Sequence, residues 1–82
     1  MDNMARTPKQ IGAIIQRQRR QSKLTQSQIG AKIKLRQATV SKLEAGEPTL
    51  LGTLLDILAA LNLEMVIRPR TKGSPQDIED IF

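Results

Sequence analysis

The sequence has no cysteine, no histidine and, apart from Phe82, no aromatic residue. The lack of cysteine excludes disulfides and thiolate metal sites, and the lack of histidine removes the commonest metal ligand and acid/base group. The chain also shows no paired carboxylates, no nucleophile–base set and no Gly-rich phosphate loop. We therefore expect a protein that is not an enzyme and that holds no metal or cofactor.

Long hydrophobic runs are also missing. The longest strongly apolar stretch, Leu54–Leu61, contains Asp56 and is far shorter than the ~20 residues that a membrane span needs. No apolar segment with a cleavage site opens the chain. Because Leu, Ile, Val, Ala and Met must supply the core, small packed helices are favoured over a β-sandwich or barrel. We expect one mostly α domain, in the cytoplasm and with no membrane partner.

The net charge of +5 is unevenly distributed along the chain. Residues 1–36 hold nine Lys or Arg and one acid, whereas residues 37–62 hold one Lys and three acids. Residues 63–72 are basic again, and residues 73–82 hold three acids and no base. Such asymmetry suggests a polyanionic partner, although a charged face on a helical protein is more often simply solvated. Charge alone does not decide between these readings.

Capping signals mark the first two helices. Thr7 followed by Pro8 is typical of a helix start, and the helix is predicted to run to about Ser22. Thr25 and Gln28 have the spacing of a capping box, which predicts a second, short helix ending near Ile33.

Two further helices are predicted after a tight connection. Residues 34–36 turn with Leu35 inward, residues 37–45 form helix 3, and Gly46 stops it. Thr49 can cap a fourth helix whose apolar residues cover more than half its circumference, so we expect it to be central to the core. Those apolar residues are Leu50, Leu51, Leu54, Leu55, Ile57, Leu58 and Leu61.

The period changes after Asn62, where alternation places Leu63, Met65 and Ile67 on one side. This predicts a single strand that ends before Pro69. Because the chain offers no second strand, the same strand of another copy is the expected partner, and a homodimer follows. We divide the chain into a domain at residues 1–70 and a flexible acidic tail at 71–82, whose Ile78, Ile81 and Phe82 could serve as a docking tag.

Helices 2 and 3 have the lengths and connection of a helix-turn-helix, in which the second helix enters the major groove. The shared core is expected from Ile29, Ile33, Leu35, Val40 and Leu43, and Gly30 lies where the helices would cross most closely. A purely structural helix pair could show the same core.

The polar side of helix 3 suggests DNA recognition. Gln37 can donate and accept at adenine, Ala38 can contact a thymine methyl, and Lys42 can reach guanine or phosphate. Ser41 is adaptable, and Arg36 stands at the helix entrance. The alternative is an ordinary exposed polar face, but the basic first helix and the helix-pair geometry favour DNA contact.

The stretch "LTQSQIGAKIKLRQATVSKLEAG" resembles the helix-turn-helix of phage-repressor-like regulators. Together, "TPKQIG", "RQATVSKLE" and "LLDILAALNLEMVIRP" are similar to HipB-type antitoxins, the DNA-binding partners of HipA-type kinase toxins, over about residues 6–70. This resemblance implies a four- to five-helix repressor-like domain and a homodimer whose C-terminal strands pair.

The resemblance also implies site residues. Base reading and backbone positioning fall on Arg36, Gln37, Ala38, Ser41 and Lys42, and Gln26 is expected to hold a phosphate. Many members have Gly at the turn after helix 2, where this chain has Lys34. Either the turn bends differently, or a phosphate contact by Lys34 offsets a strain of about 1 kcal/mol.

The expected function is that of a repressor that binds a palindromic operator, and of an antitoxin that autoregulates its operon and neutralises a HipA-like kinase. An acidic patch of Glu44, Glu47 and Asp56, with the acidic tail, could face a basic partner protein. Two alternatives remain: a stand-alone phage-like regulator without a toxin, and a protein-interaction adaptor that does not bind DNA.

Overall fold

The computed structural model describes residues 3–70. This part of the chain contains four α-helices and is mostly α, as the sequence predicts. They are α1 (Pro8–Gln21), α2 (Gln26–Lys32), α3 (Gln37–Glu44) and α4 (Leu51–Ala60). None of the helices in this range has the length and apolar character needed to cross a membrane.

Local hydrogen bonds begin α1 and α2 as predicted. The Thr7 hydroxyl accepts a hydrogen bond from the Gln10 backbone N–H, with Pro8 at the first helical position. At α2 both halves of the capping box are present: Thr25 Oγ1 accepts from the Gln28 N–H at 3.1 Å, and Gln28 Oε1 accepts from the Thr25 N–H at 2.8 Å. These bonds satisfy amide groups that a helix start otherwise leaves unpaired.

All four helices are followed by a residue with positive φ, two positions after the last helical residue. Only Gly46, with φ +85°, is a glycine, and it ends α3 as predicted. The other three positions are Lys23 (φ 58°), Lys34 (φ 59°) and Asn62 (φ 59°). Residues other than glycine are disfavoured at such positive φ values by about 1–2 kcal/mol, so tertiary packing must hold these helix ends in this conformation.

The hydrophobic core lies where all four helices meet. It is aliphatic throughout, and half-buried Ile11, Leu24, Ile33, Leu35, Ala60 and Leu63 pack around it. The buried apolar residues are Ile15, Ile29, Val40, Leu43, Leu54, Ile57, Leu58 and Leu61.

Helix α4 is central to the core, as predicted, since Leu54, Ile57 and Leu58 are buried, but the prediction of its start was wrong. Thr49 does not cap the helix: its hydroxyl donates to the Glu47 carbonyl oxygen, and the N-cap position is Leu50, without a side-chain cap. Only one side of α4 is covered, since Leu50, Leu51 and Leu55 are 79%, 63% and 44% exposed. The described residues cover one face of this helix and leave an apolar ridge on the other.

The segment after α4 forms no strand within residues 3–70. A β-strand requires a neighbouring strand for its hydrogen bonds, and the described chain offers none. Leu63 is half-buried, whereas Met65 and Ile67 are exposed, Ile67 by 92%. Intermolecular pairing of this segment remains a prediction. The predicted flexible tail, residues 71–82, lies outside the described residues.

Candidate nucleic-acid interface

The connection between α2 and α3 is tight because Gly30 has no side chain. A Cβ at Gly30 would lie 2.5 Å from the Leu35 carbonyl oxygen, far inside van der Waals contact. The Leu35 N–H in turn donates to the Gly30 carbonyl oxygen at 2.7 Å. The close approach predicted at Gly30 is therefore present, but its partner is the turn rather than the body of helix 3.

Lys34 adopts the backbone conformation that a glycine would take at the same turn. Its φ of 59° lies in the left-handed region, and its side chain is exposed. The turn has therefore not been reshaped to accommodate a side chain, which was one of the two alternatives considered. The second alternative, a phosphate contact by Lys34, remains a prediction.

Helix α3 has a buried side and an exposed side, as predicted. Val40 and Leu43 are buried in the core. Four of the predicted DNA-contacting residues of this region, Arg36, Gln37, Ala38 and Lys42, are exposed, and Ser41 is half-buried. The core thus fixes which side of α3 is available to a ligand.

The side chain of Gln26 forms hydrogen bonds within the protein. It is half-buried, its amide nitrogen donates to Glu44 Oε1 at 3.1 Å, and its carbonyl oxygen accepts from Gln37 Nε2. Each end of its side chain therefore forms one hydrogen bond within the protein. The second N–H of the Gln26 amide is left for the expected phosphate contact, which remains a prediction.

A buried ion pair between α1 and α3 was missed by the sequence reasoning. Arg19 Nε lies 2.7 Å from Glu44 Oε2 and Nη2 lies 3.0 Å from Oε1, with side chains only 11% and 2% exposed. Arg19 Nη1 also donates to the Leu24 carbonyl oxygen at 2.8 Å. The hydrogen bonds that Arg19 donates to Glu44 raise the pKa of Arg19, although burial lowers it. This guanidinium remains charged.

The ion pair corrects two expectations. Glu44 is not part of a solvent-facing acidic patch; of the three acids predicted there, only Glu47 and Asp56 are exposed. Arg19 is likewise withdrawn from the basic surface of the first helix. The signal was present in the sequence: Arg19 lies four residues after Ile15 and Glu44 four after Val40, so this base and this acid each fall on the apolar stripe of a helix.

The other basic residues between positions 3 and 36 are all exposed. Their charge is available for a polyanion, since Glu44 pairs with Arg19 and not with any of them. They are Arg6, Lys9, Arg17, Arg20, Lys23, Lys32, Lys34 and Arg36.

Two short helices, a tight turn between them and a polar exposed side on the second define a helix-turn-helix domain. The helix-turn-helix family model matches residues 15–67 of this chain. The antitoxin HipB of Escherichia coli strain K12 is 34% identical over 74 residues, which is 89% of this chain and 84% of that protein. The chain belongs to the helix-turn-helix family and, within it, to the HipB-type antitoxins.

Solved HipB structures have the same fold. A HipB variant in complex with an O2 20mer has a TM-score of 0.81 and 29% identity, covering 87% of this chain and 100% of that one. HipB in a HipA–HipB–O2–O3 complex has a TM-score of 0.79 and 31% identity, covering 85% of this chain and 100% of that one.

Proposed function

We propose that this protein is a sequence-specific DNA-binding repressor that acts as the antitoxin of a HipA-type kinase. The observation that carries the proposal is the exposed polar side of α3, fixed by burial of Val40 and Leu43, on a domain of the HipB-type family. The HipB relatives in complexes with 20mers and with HipA support both halves of it. The protein would be a regulator rather than an enzyme, and it would work in the cytoplasm.

Recognition would place α3 in the major groove. Gln37 offers an amide that suits adenine, Ala38 a methyl group for thymine, and Lys42 a cation for guanine or phosphate. Arg36 precedes them, and Ser41 lies between Ala38 and Lys42. Lys34, with exposed residues such as Arg20, would neutralise phosphates and so fix the position of the domain on the duplex.

Two copies are needed to recognise a palindromic site. Paired recognition helices on successive major grooves lie roughly 34 Å apart, which demands a dimer. The exposed Met65 and Ile67, with Leu63, are the residues that we assign to dimerisation through paired strands. Residues 1–70 would then form the DNA-binding and dimerisation domain, and residues 71–82 a separate tail.

The DNA-binding half is tested by titrating a duplex from the protein's own promoter and a random duplex at physiological salt. A repressor should bind its own promoter at least about 10³-fold more tightly than random DNA. Equal affinity for both duplexes would favour the adaptor alternative, since a protein-interaction module has no reason to distinguish them.

The antitoxin half is tested by expressing the native operon and purifying the protein through a tag. A kinase of the HipA type should co-purify and should be inactive in the complex. A protein that binds its operator fully but brings down no kinase would be a stand-alone regulator.

A further inference from the structure

Residues 64–68 lie between two points that limit how far a strand can extend. The Leu63 N–H donates to the Leu58 carbonyl oxygen at 2.8 Å, which ties the start of the segment to α4. Pro69 has no N–H and a fixed φ, so it ends a ladder. The backbone of residues 64–68 forms no hydrogen bond with another residue between positions 3 and 70, and all five side chains are exposed. The segment therefore offers five residues to a second strand.

Two-fold symmetry restricts how two copies of this segment can pair. In an antiparallel pair of identical strands the axis passes through one residue position, and that residue lies opposite its own copy. The midpoint of residues 64–68 is Val66, so a ladder centred there uses all five residues of both copies and stops before Pro69. A ladder centred on Ile67 would place Pro69 opposite Met65, which a strand disfavours.

A ladder centred on Val66 brings opposite charges together twice. Glu64 of each copy lies opposite Arg68 of the other, with Cβ atoms about 4.5–5.5 Å apart. Neither side chain forms an ion pair with another residue of the described range, so both are available. On the other side of the strand Met65 lies opposite Ile67, and apolar groups meet. A ladder centred on Met65 would instead place Glu64 opposite Val66 and would pair no charges.

We propose that Glu64 and Arg68 select a second copy of this chain as the partner strand, because two symmetric Glu64–Arg68 ion pairs fix the register of the intermolecular ladder. The inference rests on the proposed dimerisation through paired strands. The apolar side of the strand supplies most of the affinity. The charges lie on the solvated side and act on register and on the choice of partner, since like charges directly opposite each other are destabilising.

Charge reversal tests the ion pairs. In a homodimer, Glu64→Arg places bases opposite each other twice, and Arg68→Glu does the same with acids. Each variant alone should have a dimer dissociation constant at least about fourfold above that of the parent in sedimentation equilibrium at low salt. The difference should shrink in about 1 M salt, where exposed charges are screened. An equimolar mixture of the two variants should consist mainly of mixed dimers by native mass spectrometry, because every charge then meets its opposite.

The matched control makes the same changes in charge outside the segment. Glu47→Arg and Arg17→Glu alter exposed side chains, so each variant alone should dimerise as the parent does. Their mixture should contain mixed dimers in the statistical proportion. If the control mixture preferred mixed dimers as strongly as the test mixture, net charge rather than contact would choose the partner, and the proposal would be overturned. Test variants that dimerise as the parent does would also overturn it.

The register is tested on the parent protein, so that this test does not depend on how a variant folds. In dimers of one isotope-labelled and one unlabelled copy, the strongest intermolecular nuclear Overhauser effects on the apolar side should join Met65 to Ile67. Effects that join Leu63 to Ile67 most strongly would centre the ladder on Met65 and overturn the proposal. A parent protein that is monomeric at all concentrations would contradict the proposed dimerisation itself, whereas a dimer in another register would leave it standing.

Discussion

Removal of the Glu44 carboxylate should strongly destabilise the protein. Glu44→Ala leaves the Arg19 guanidinium, with its side chain 11% exposed, without its carboxylate, and it removes the acceptor of the Gln26 amide. Breaking a buried pair in this way costs about 3–5 kcal/mol, mainly because an uncompensated charge stays in a poorly solvated place. The mechanism is desolvation rather than a lost surface attraction.

This loss is large compared with the free energy of unfolding of so small a domain. At about 0.05–0.15 kcal/mol per residue, a chain of 82 residues has a free energy of unfolding of roughly 4–12 kcal/mol. Glu44→Ala would remove a large part of it. Urea denaturation followed by circular dichroism at 222 nm measures the change, with Glu47→Ala as the control because that acid is exposed and the change in net charge is the same.

The Glu47→Ala control removes the same negative charge without breaking a buried ion pair. Glu47→Ala should change the free energy of unfolding by no more than about 0.5 kcal/mol. A loss below about 1 kcal/mol for Glu44→Ala, similar to that of the control, would refute the claim that the ion pair is buried and structurally required. Added salt should weaken the Arg19–Glu44 contribution little, since screening acts mainly on exposed charges.

Three further predictions follow from the backbone and the exposed surface. Gly12→Ala should destabilise the domain by several kcal/mol, because its Cβ would lie 2.5 Å from a backbone oxygen of α3. A Cβ at Gly52 meets nothing within 4 Å, so Gly52→Ala should be neutral or stabilising by up to about 1 kcal/mol. Thermal denaturation measures both. Lys34→Gly should raise stability by up to about 1 kcal/mol and yet lower DNA affinity with a shallower salt dependence; stronger DNA binding would exclude a phosphate contact. Ile67→Asp should convert the dimer to a folded monomer in sedimentation, and Val66→Asp, on the other side of the predicted strand, should not; a monomeric parent would contradict the strand assignment.

The helix starts of α1 and α2 could be predicted because their causes are local. A capping hydroxyl and its amide partner are three residues apart, so the chemistry that begins each helix is contained in one turn of sequence. The same holds for Gly46, whose positive φ ends α3. The exposed side of α3 followed from Val40 and Leu43 in the same way.

The hydrogen bonds that join Arg19, Glu44, Gln26 and Gln37 could not be predicted in the same way, because these residues are far apart in sequence. Arg19 and Glu44 are separated by 25 positions and Gln26 and Gln37 by 11, so only the packed helices bring them together. The sequence showed each charge on an apolar stripe but did not show that the two would meet. Glu44 was consequently assigned to a surface that it does not reach.

The exposed face of α4 was not foreseen for a different reason. The apolar residues of α4 correctly indicated a helix central to the core, but the described residues cover only one of its faces. Leu51 and Leu55 remain exposed in the single chain. Hydrophobicity shows that a face is apolar; it does not show whether the same chain or another molecule covers it.

The most direct test of the central claim, that α3 is the recognition helix, is the affinity of Gln37→Ala for operator and random duplexes by fluorescence anisotropy. We expect Gln37→Ala to lose about 1–3 kcal/mol of binding free energy, or about 5- to 150-fold in affinity, on the operator and to bind random DNA with little change. An exposed glutamine elsewhere, Gln21, provides the matched alanine control. A Gln37→Ala protein that binds both duplexes as the parent does would contradict the claim.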